Sequence, residues 1–135
     1  MITGLSHVSI AVPSLEAAAK RLKEVYGLAV GPSMVNEQQG IRLAYVELGN
    51  ARIELMEPAR SDSSISKFLE HHPAGGIHHF SLGVDDLTTS VAAIAGTGAR
   101  VLGEGGETRN VHGERIAFVH PKDFFGALVE LEEHR

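Results

Sequence analysis

The 135 residues contain no cysteine, which excludes disulfides, thiolate zinc sites and cysteine nucleophiles. Any metal held by this chain therefore needs imidazole and oxygen ligands. No apolar run approaches the roughly 20 residues that a membrane-spanning helix requires. The opening Met1-Ile-Thr-Gly-Leu-Ser6 has no basic segment, so the sequence predicts neither a membrane partner nor a signal peptide. Positive charge is also short: 12 Lys and Arg against 17 Asp and Glu give a formal net charge of −5. That balance offers no electrostatic reason to expect nucleic acid or an anionic membrane. What remains, 43% hydrophobic and 21% charged residues, is the composition of an ordinary globular domain. The chain is long enough to bury a core without covalent staples, and the expectation is a cytoplasmic protein.

What is present is a repeat. His7-Val-Ser-Ile-Ala-Val-Pro-Ser-Leu15 returns as His79-Phe-Ser-Leu-Gly-Val-Asp-Asp-Leu87, and Ile53-Glu54-Leu55 returns as Val129-Glu130-Leu131. Period-2 alternation predicts a strand from His7 to Val12, with further strands near 28–33, 42–48 and 51–57. Gly49-Asn50 is expected to turn the last two. Ser14 is suited to cap a helix from about Leu15 to Tyr26, with Leu15, Ala18, Ala19, Leu22 and Val25 as its apolar stripe. The second half predicts strands near 78–84, 99–103, 115–119 and 127–132, and a helix from Leu87 to Ala95 capped by Asp86.

Each half thus reads β-α-β-β-β, too small to bury its sheet alone. The expected fold is α+β: two tandem βαβββ units pairing into a curved mixed sheet around a metal-binding cleft. The whole chain, 1–135, is read as a single domain, with repeat 1 at about 4–58, a linker helix at about 61–72 and repeat 2 at about 76–133.

Strand parity places His7, Ser9 and Ala11 on one face and His79, Ser81 and Gly83 on the equivalent face of the second copy. In both, a histidine is followed by small residues, a pattern that leaves room for a ligand. Glu54 and Glu130 sit mid-strand between apolar neighbours, where an ionised carboxylate is costly without a cation or hydrogen bonds. One strand histidine or glutamate alone would not indicate a ligand, but the same order occurs twice. His7, Glu54, His79 and Glu130 are therefore the expected ligands of one divalent ion. Two imidazoles and two carboxylates would leave that site formally neutral, with two octahedral positions open to substrate. His71, His72, His78, His112, His120 and His134 lack such pairing and are expected at the surface or behind the ligands.

The duplicated unit with His and Glu at matching places resembles the vicinal oxygen chelate (glyoxalase/bleomycin resistance/dioxygenase) superfamily. Within it, nearly the whole chain is similar to the methylmalonyl-CoA epimerases. Ser6-His7-Val8, Ile53-Glu54-Leu-Met-Glu-Pro58, Gly75-Gly-Ile-His-His79, Phe118-Val-His-Pro-Lys-Asp123 and Gly126-Ala-Leu-Val-Glu-Leu131 carry the resemblance. It implies an isomerase that inverts C2 of methylmalonyl-CoA through a metal-stabilised enolate, with an acyl-CoA as its small-molecule partner. Cobalt comes first among the ions it implies, then manganese, magnesium or zinc, and Glu130 is implied to be both ligand and catalytic base. Some relatives carry a second glutamate where this chain has Leu43, so metal-bound water or Glu54 is left as the second proton carrier. The alternatives are a glyoxalase I-type lactoylglutathione lyase and a non-catalytic antibiotic-binding module. The latter usually lines its cleft with aromatic rings, whereas this chain is only 5% aromatic. Exposed strand edges favour a homodimer.

Overall fold

The computed structural model describes residues 1–102 and 108–134. In chain order these form β1 (Ile2–Ala11), α1 (Leu15–Tyr26), β2 (Met34–Asn36), β3 (Ile41–Glu47) and β4 (Arg52–Pro58). After α2 (Ser66–His71) come β5 (Gly76–Val84), α3 (Leu87–Ala95), β6 (Val101–Leu102), β7 (Ile116–Val119) and β8 (Val129–Glu133). The β-α-β-β-β order expected from the repeat is therefore present twice, with a short helix between the copies.

The chain divides into two compact units, one formed by Val8–His78 and the other by His79–Arg135 together with Met1–His7. In the Val8–His78 unit, β2, β3 and β4 are antiparallel, with Tyr45 opposite Glu54 and Leu43 opposite Met56. Its core is Leu15, Ala44 and Leu55, flanked by Ile10, Val12, Ala18 and Leu22. These are the apolar face of β1 and the stripe of α1, as the two periodicities require. Val25, expected on that stripe, is 50% exposed instead, because it lies one turn beyond the last packed residue, Leu22. Ser14 Oγ accepts from Ala17 N–H at 3.1 Å, satisfying one of the open donors of the first turn. Gly27, at φ 69°, ends the helix in the left-handed conformation, which glycine adopts without a Cβ penalty.

The other unit has a mixed sheet. β5 runs parallel to β8, and β8, β7 and β6 follow antiparallel. Val84, Leu87, Ala117, Val119, Val129 and Leu131 form its core, with Phe80 and Leu82 on the α3 side. Asp86 caps α3 by accepting from Thr89 N–H at 2.8 Å. A device absent from the sequence reading recurs in both units. Glu57 accepts from Leu15 N–H at 3.0 Å, and Glu133 accepts from Leu87 N–H at 2.8 Å, each placing a carboxylate at the positive end of a helix.

One expected strand is corrected. Residues 28–33 form no strand, and the pairing begins only at Met34. Leu28 N–H is taken by the C-terminus of α1, bonding Leu22 C=O at 3.2 Å, and Pro32 has no N–H to give a ladder. Other boundaries move slightly. The strand expected at 99–103 is Val101–Leu102, its last residue, Gly103, lying outside the described residues, and the strand expected at 127–132 is Val129–Glu133.

Candidate metal centre

Two strands of the second unit determine the site. The parallel register sets Ser81 beside Glu130, so that Ser81 Oγ donates to Glu130 Oε1 at 3.0 Å. Alternation along β5 puts His79 on the same face as Ser81, and His7 ends the segment that Met1–His7 contributes. His7 Nε2 lies 3.6 Å from Glu130 Oε1, and His79 Nε2 lies 3.5 Å from Glu130 Oε2. The two imidazole rings are 5.8 Å apart and nearly perpendicular. Phe118, across from Glu130 on β7, packs edge-on against His79 at 5.5 Å. All three candidate ligands are buried: His7 is 1%, His79 5% and Glu130 5% exposed.

These nitrogen–oxygen separations exceed those of good hydrogen bonds. They approach the roughly 3–3.5 Å kept by ligand atoms about 2.1 Å from a shared ion. The donor chemistry agrees with the spacing, since two imidazoles and a carboxylate, with no thiolate, suit borderline or hard divalent ions. The residues present therefore fit a divalent metal.

A second carboxylate stands behind His7. Glu132, 1% exposed, shares the face of Glu130 on β8 and puts Oε2 3.7 Å from His7 Nδ1. Ser6 Oγ lies 3.1 Å from the same nitrogen and donates to Glu132 Oε1 at 2.8 Å. Asn110 Nδ2 donates to Glu132 Oε2 at 3.1 Å. His134 Nε2 lies 3.1 Å from Glu132 Oε1, and its Nδ1 lies 2.9 Å from Glu114. Room for that ring depends on Gly83, where an added Cβ would sit 2.7 Å from His134 Cδ2.

The two neighbouring carboxyls are pushed apart in proton affinity. Burial, then the charge of Glu132, raises Glu130 to about 8 against the opposing hydrogen bond from Ser81. Burial also works to raise Glu132, but the Ser6 hydroxyl, His7, the Asn110 amide and His134 outweigh it and hold that group below its ordinary value. Such separation of adjacent titratable groups marks sites that combine a proton acceptor with a fixed charge.

Glu54, the fourth expected ligand, belongs to the Val8–His78 unit and is 8% exposed. Ser9 Oγ donates to its Oε1 at 2.6 Å and Tyr45 OH to its Oε2 at 3.0 Å. The Arg52 guanidinium stacks 4.4 Å above the Tyr45 ring. Ser9 and Ser81 are thus not merely small residues leaving space, as their size alone indicates, but the donors that aim the two glutamates. Tyr45, Ser6 and Glu132 were not singled out by the sequence. The parity of Glu132 with Glu130 was legible, whereas the Tyr45–Glu54 pairing needs the β3–β4 register. Leu43 is buried on the Tyr45 face. Of the remaining histidines, His71 and His72 contact backbone carbonyls of their own helix. His78 packs against Phe68, His120 accepts from Lys122 N–H, and His134 stands behind the ligands.

Comparison with known proteins agrees with this geometry. The sequence profile of the Glyoxalase/Bleomycin resistance protein/Dioxygenase superfamily matches residues 6–118. The ethylmalonyl-CoA/methylmalonyl-CoA epimerase of Cereibacter sphaeroides is 44% identical over 133 residues, covering 98% of this chain and 99% of the relative. The crystal structure of methylmalonyl-CoA epimerase from Mycobacterium tuberculosis is similar with a TM-score of 0.90 and 35% identity, covering 99% of this chain and 89% of that one. A methylmalonyl-CoA epimerase in complex with methylmalonyl-CoA and NH4+ is similar with a TM-score of 0.89 and 35% identity, over 98% of this chain and 95% of that one.

Proposed function

Because this chain belongs to the glyoxalase/bleomycin resistance protein/dioxygenase superfamily, and within it to the methylmalonyl-CoA epimerases, we propose that it interconverts the C2 stereoisomers of methylmalonyl-CoA, with His7, Glu54, His79 and Glu130 holding one divalent ion. The observation that carries the reading is the pair of imidazole Nε2 atoms at 3.6 and 3.5 Å from the two oxygens of the buried Glu130 carboxylate. Glu54 joins the set because its hydrogen bond from Ser9 repeats the one from Ser81 to Glu130. The ion, cobalt first with manganese, magnesium or zinc as substitutes, would supply a Lewis acid to the thioester carbonyl and the carboxylate of the substrate, which lie in a 1,3 relationship.

The chain's own residues account for the proton. Glu130 is the group that would take the proton: without an ion, burial and the charge of Glu132 raise it to about 8, and a bound divalent ion would lower that affinity again. It takes the proton from C2 and leaves the electron pair delocalised into the thioester. A second carrier, Glu54 or a water, would give a proton to the opposite face while Glu130 passes its own to solvent, which completes the inversion without an oxidant or reductant. His7 and His79, both buried, would hold the ion through neutral imidazole nitrogens.

The reading includes a homodimer in the cytoplasm. A water-soluble acyl-CoA substrate supports that location. The apolar side chains left exposed on the short strands β2 and β6, Val35 at 43% and Leu102 at 45%, support self-association. Deuterium uptake separates the functional readings. In deuterated water the protein is expected to label C2 of methylmalonyl-CoA and to leave methylglyoxal plus glutathione unconverted. Turnover of the second mixture alone would establish a glyoxalase, and activity on neither, in a protein without bound metal, would establish a binding module.

A further inference from the structure

The Ser6 hydroxyl carries a single hydrogen, and its partners on the two sides determine where that hydrogen goes. Glu132 Oε1 accepts it at 2.8 Å. Toward His7 Nδ1, 3.1 Å away, Ser6 Oγ therefore presents only lone pairs. A contact of that length is a hydrogen bond only if Nδ1 carries the proton. In a neutral imidazole the lone pair is then on Nε2, the atom that faces Glu130 at 3.6 Å. Glu132 reinforces the arrangement, since its Oε2 lies 3.7 Å from the same Nδ1. Asn110 holds that oxygen at 3.1 Å, and His134 lies 3.1 Å from the other. All these groups lie in one compact unit, on β1, on β8, in the loop before β7 or, for His134, directly after β8.

We propose that Ser6 and Glu132 are positioning residues: a relay from His7 Nδ1–H through the Ser6 hydroxyl to the Glu132 carboxylate fixes the His7 tautomer and aims its Nε2 at the ion. The proposal rests on the metal reading above. It assigns work to a carboxylate that is neither a ligand nor a proton carrier in that reading. The repeat does not supply a counterpart: Met56 occupies in β4 the place that Glu132 occupies in β8, two residues after the glutamate. The relay is thus specific to the half that contains Glu130.

The test uses the full chain, 15N-labelled and stripped of metal, with long-range 1H–15N spectra reporting the His7 tautomer and cobalt(II) titration reporting affinity. The unsubstituted protein is expected to show a protonated Nδ1 and an unprotonated Nε2. Ser6→Ala and Glu132→Gln should mix the tautomers and weaken cobalt binding by about 10- to 100-fold, the range for groups that orient metal ligands. Ser6→Thr, which keeps the hydroxyl, should restore both. Should Glu132→Gln fail to fold, the Ser6 pair carries the test alone. A His7 with its proton on Nε2, or a Ser6→Ala protein with native tautomer and native affinity, overturns the relay while leaving the metal reading intact. An unsubstituted protein that takes up no cobalt overturns the metal reading and the proposal's purpose together, whichever tautomer is seen.

Discussion

The two halves of this molecule share a frame and differ at the point where chemistry is expected. In both, a strand serine donates to a buried glutamate, Ser9 to Glu54 and Ser81 to Glu130. In both, a glutamate three residues further on receives the first N–H of the helix, Glu57 from Leu15 and Glu133 from Leu87. The difference lies on the neighbouring strand. Opposite Glu54 stands Tyr45, whose hydroxyl adds a second hydrogen bond. Opposite Glu130 stands Phe118, which has no hydroxyl and instead packs against His79. A further negative charge, Glu132, lies beside Glu130 and helps push it to about 8. The two halves thus carry matching carboxylates in different settings: Glu54 receives a hydroxyl donor from the strand opposite, whereas Glu130 has a second carboxylate beside it.

The largest expected effect comes from removing the asymmetric group itself. Glu130→Gln should reduce C2 deuterium exchange by about 1,000-fold, within the range for a positioned general base, whereas Glu54→Gln, which keeps an oxygen donor, should cost far less in rate. Equal losses in the two variants, measured by mass spectrometry of the recovered ester, would erase the distinction between the halves. Phe118→Tyr should make the second half more like the first: a new donor beside Glu130 is expected to lower its proton affinity and move the acid-side rise of the pH–rate profile to lower pH. An unmoved profile would mean that the hydroxyl does not reach Glu130.

Tyr45→Phe removes a donor from a buried acceptor and should destabilise the fold by about 1–3 kcal/mol in denaturant titration. The pH dependence of stability gives a further separation. In the metal-stripped protein Glu130 binds its proton up to about 8, while the unfolded chain releases it near the ordinary 4.5. The folded state therefore binds more protons between those values, and this group's contribution makes stability fall as pH rises from about 4.5 through about 8. The slope should shrink in Glu130→Gln and when a divalent ion is added, as read by melting temperature against pH. The smallest effect belongs to the shared frame: Ser14→Ala should cost about 1 kcal/mol through loss of the α1 cap and leave exchange at C2 unchanged.

These differences explain what could and could not be read in the sequence. The repeat and strand parity were enough to place His7, His79 and Glu130 on equivalent faces, because alternation is local and needs no partner strand. Ser14 and Asp86 were legible as caps for the same reason. Tyr45 was not, since its role depends on which residue of β4 it meets, and register is a non-local quantity. The expected strand at 28–33 failed where α1 takes the Leu28 N–H and Pro32 has none to give, although Gly31 N–H still bonds to Tyr45 C=O. Glu57 and Glu133 were not singled out, because their value to the helix N-termini depends on how each helix returns over its own sheet.

The central claim is that a divalent ion beside Glu130 is required for proton exchange at C2. Titrating cobalt into metal-stripped protein while following deuterium uptake into methylmalonyl-CoA tests it directly. The account predicts negligible uptake at the start, a rise with added ion that levels off near one equivalent per chain, and no such rise in His79→Ala. Full exchange before any ion is added, or an unchanged response in His79→Ala, would contradict it.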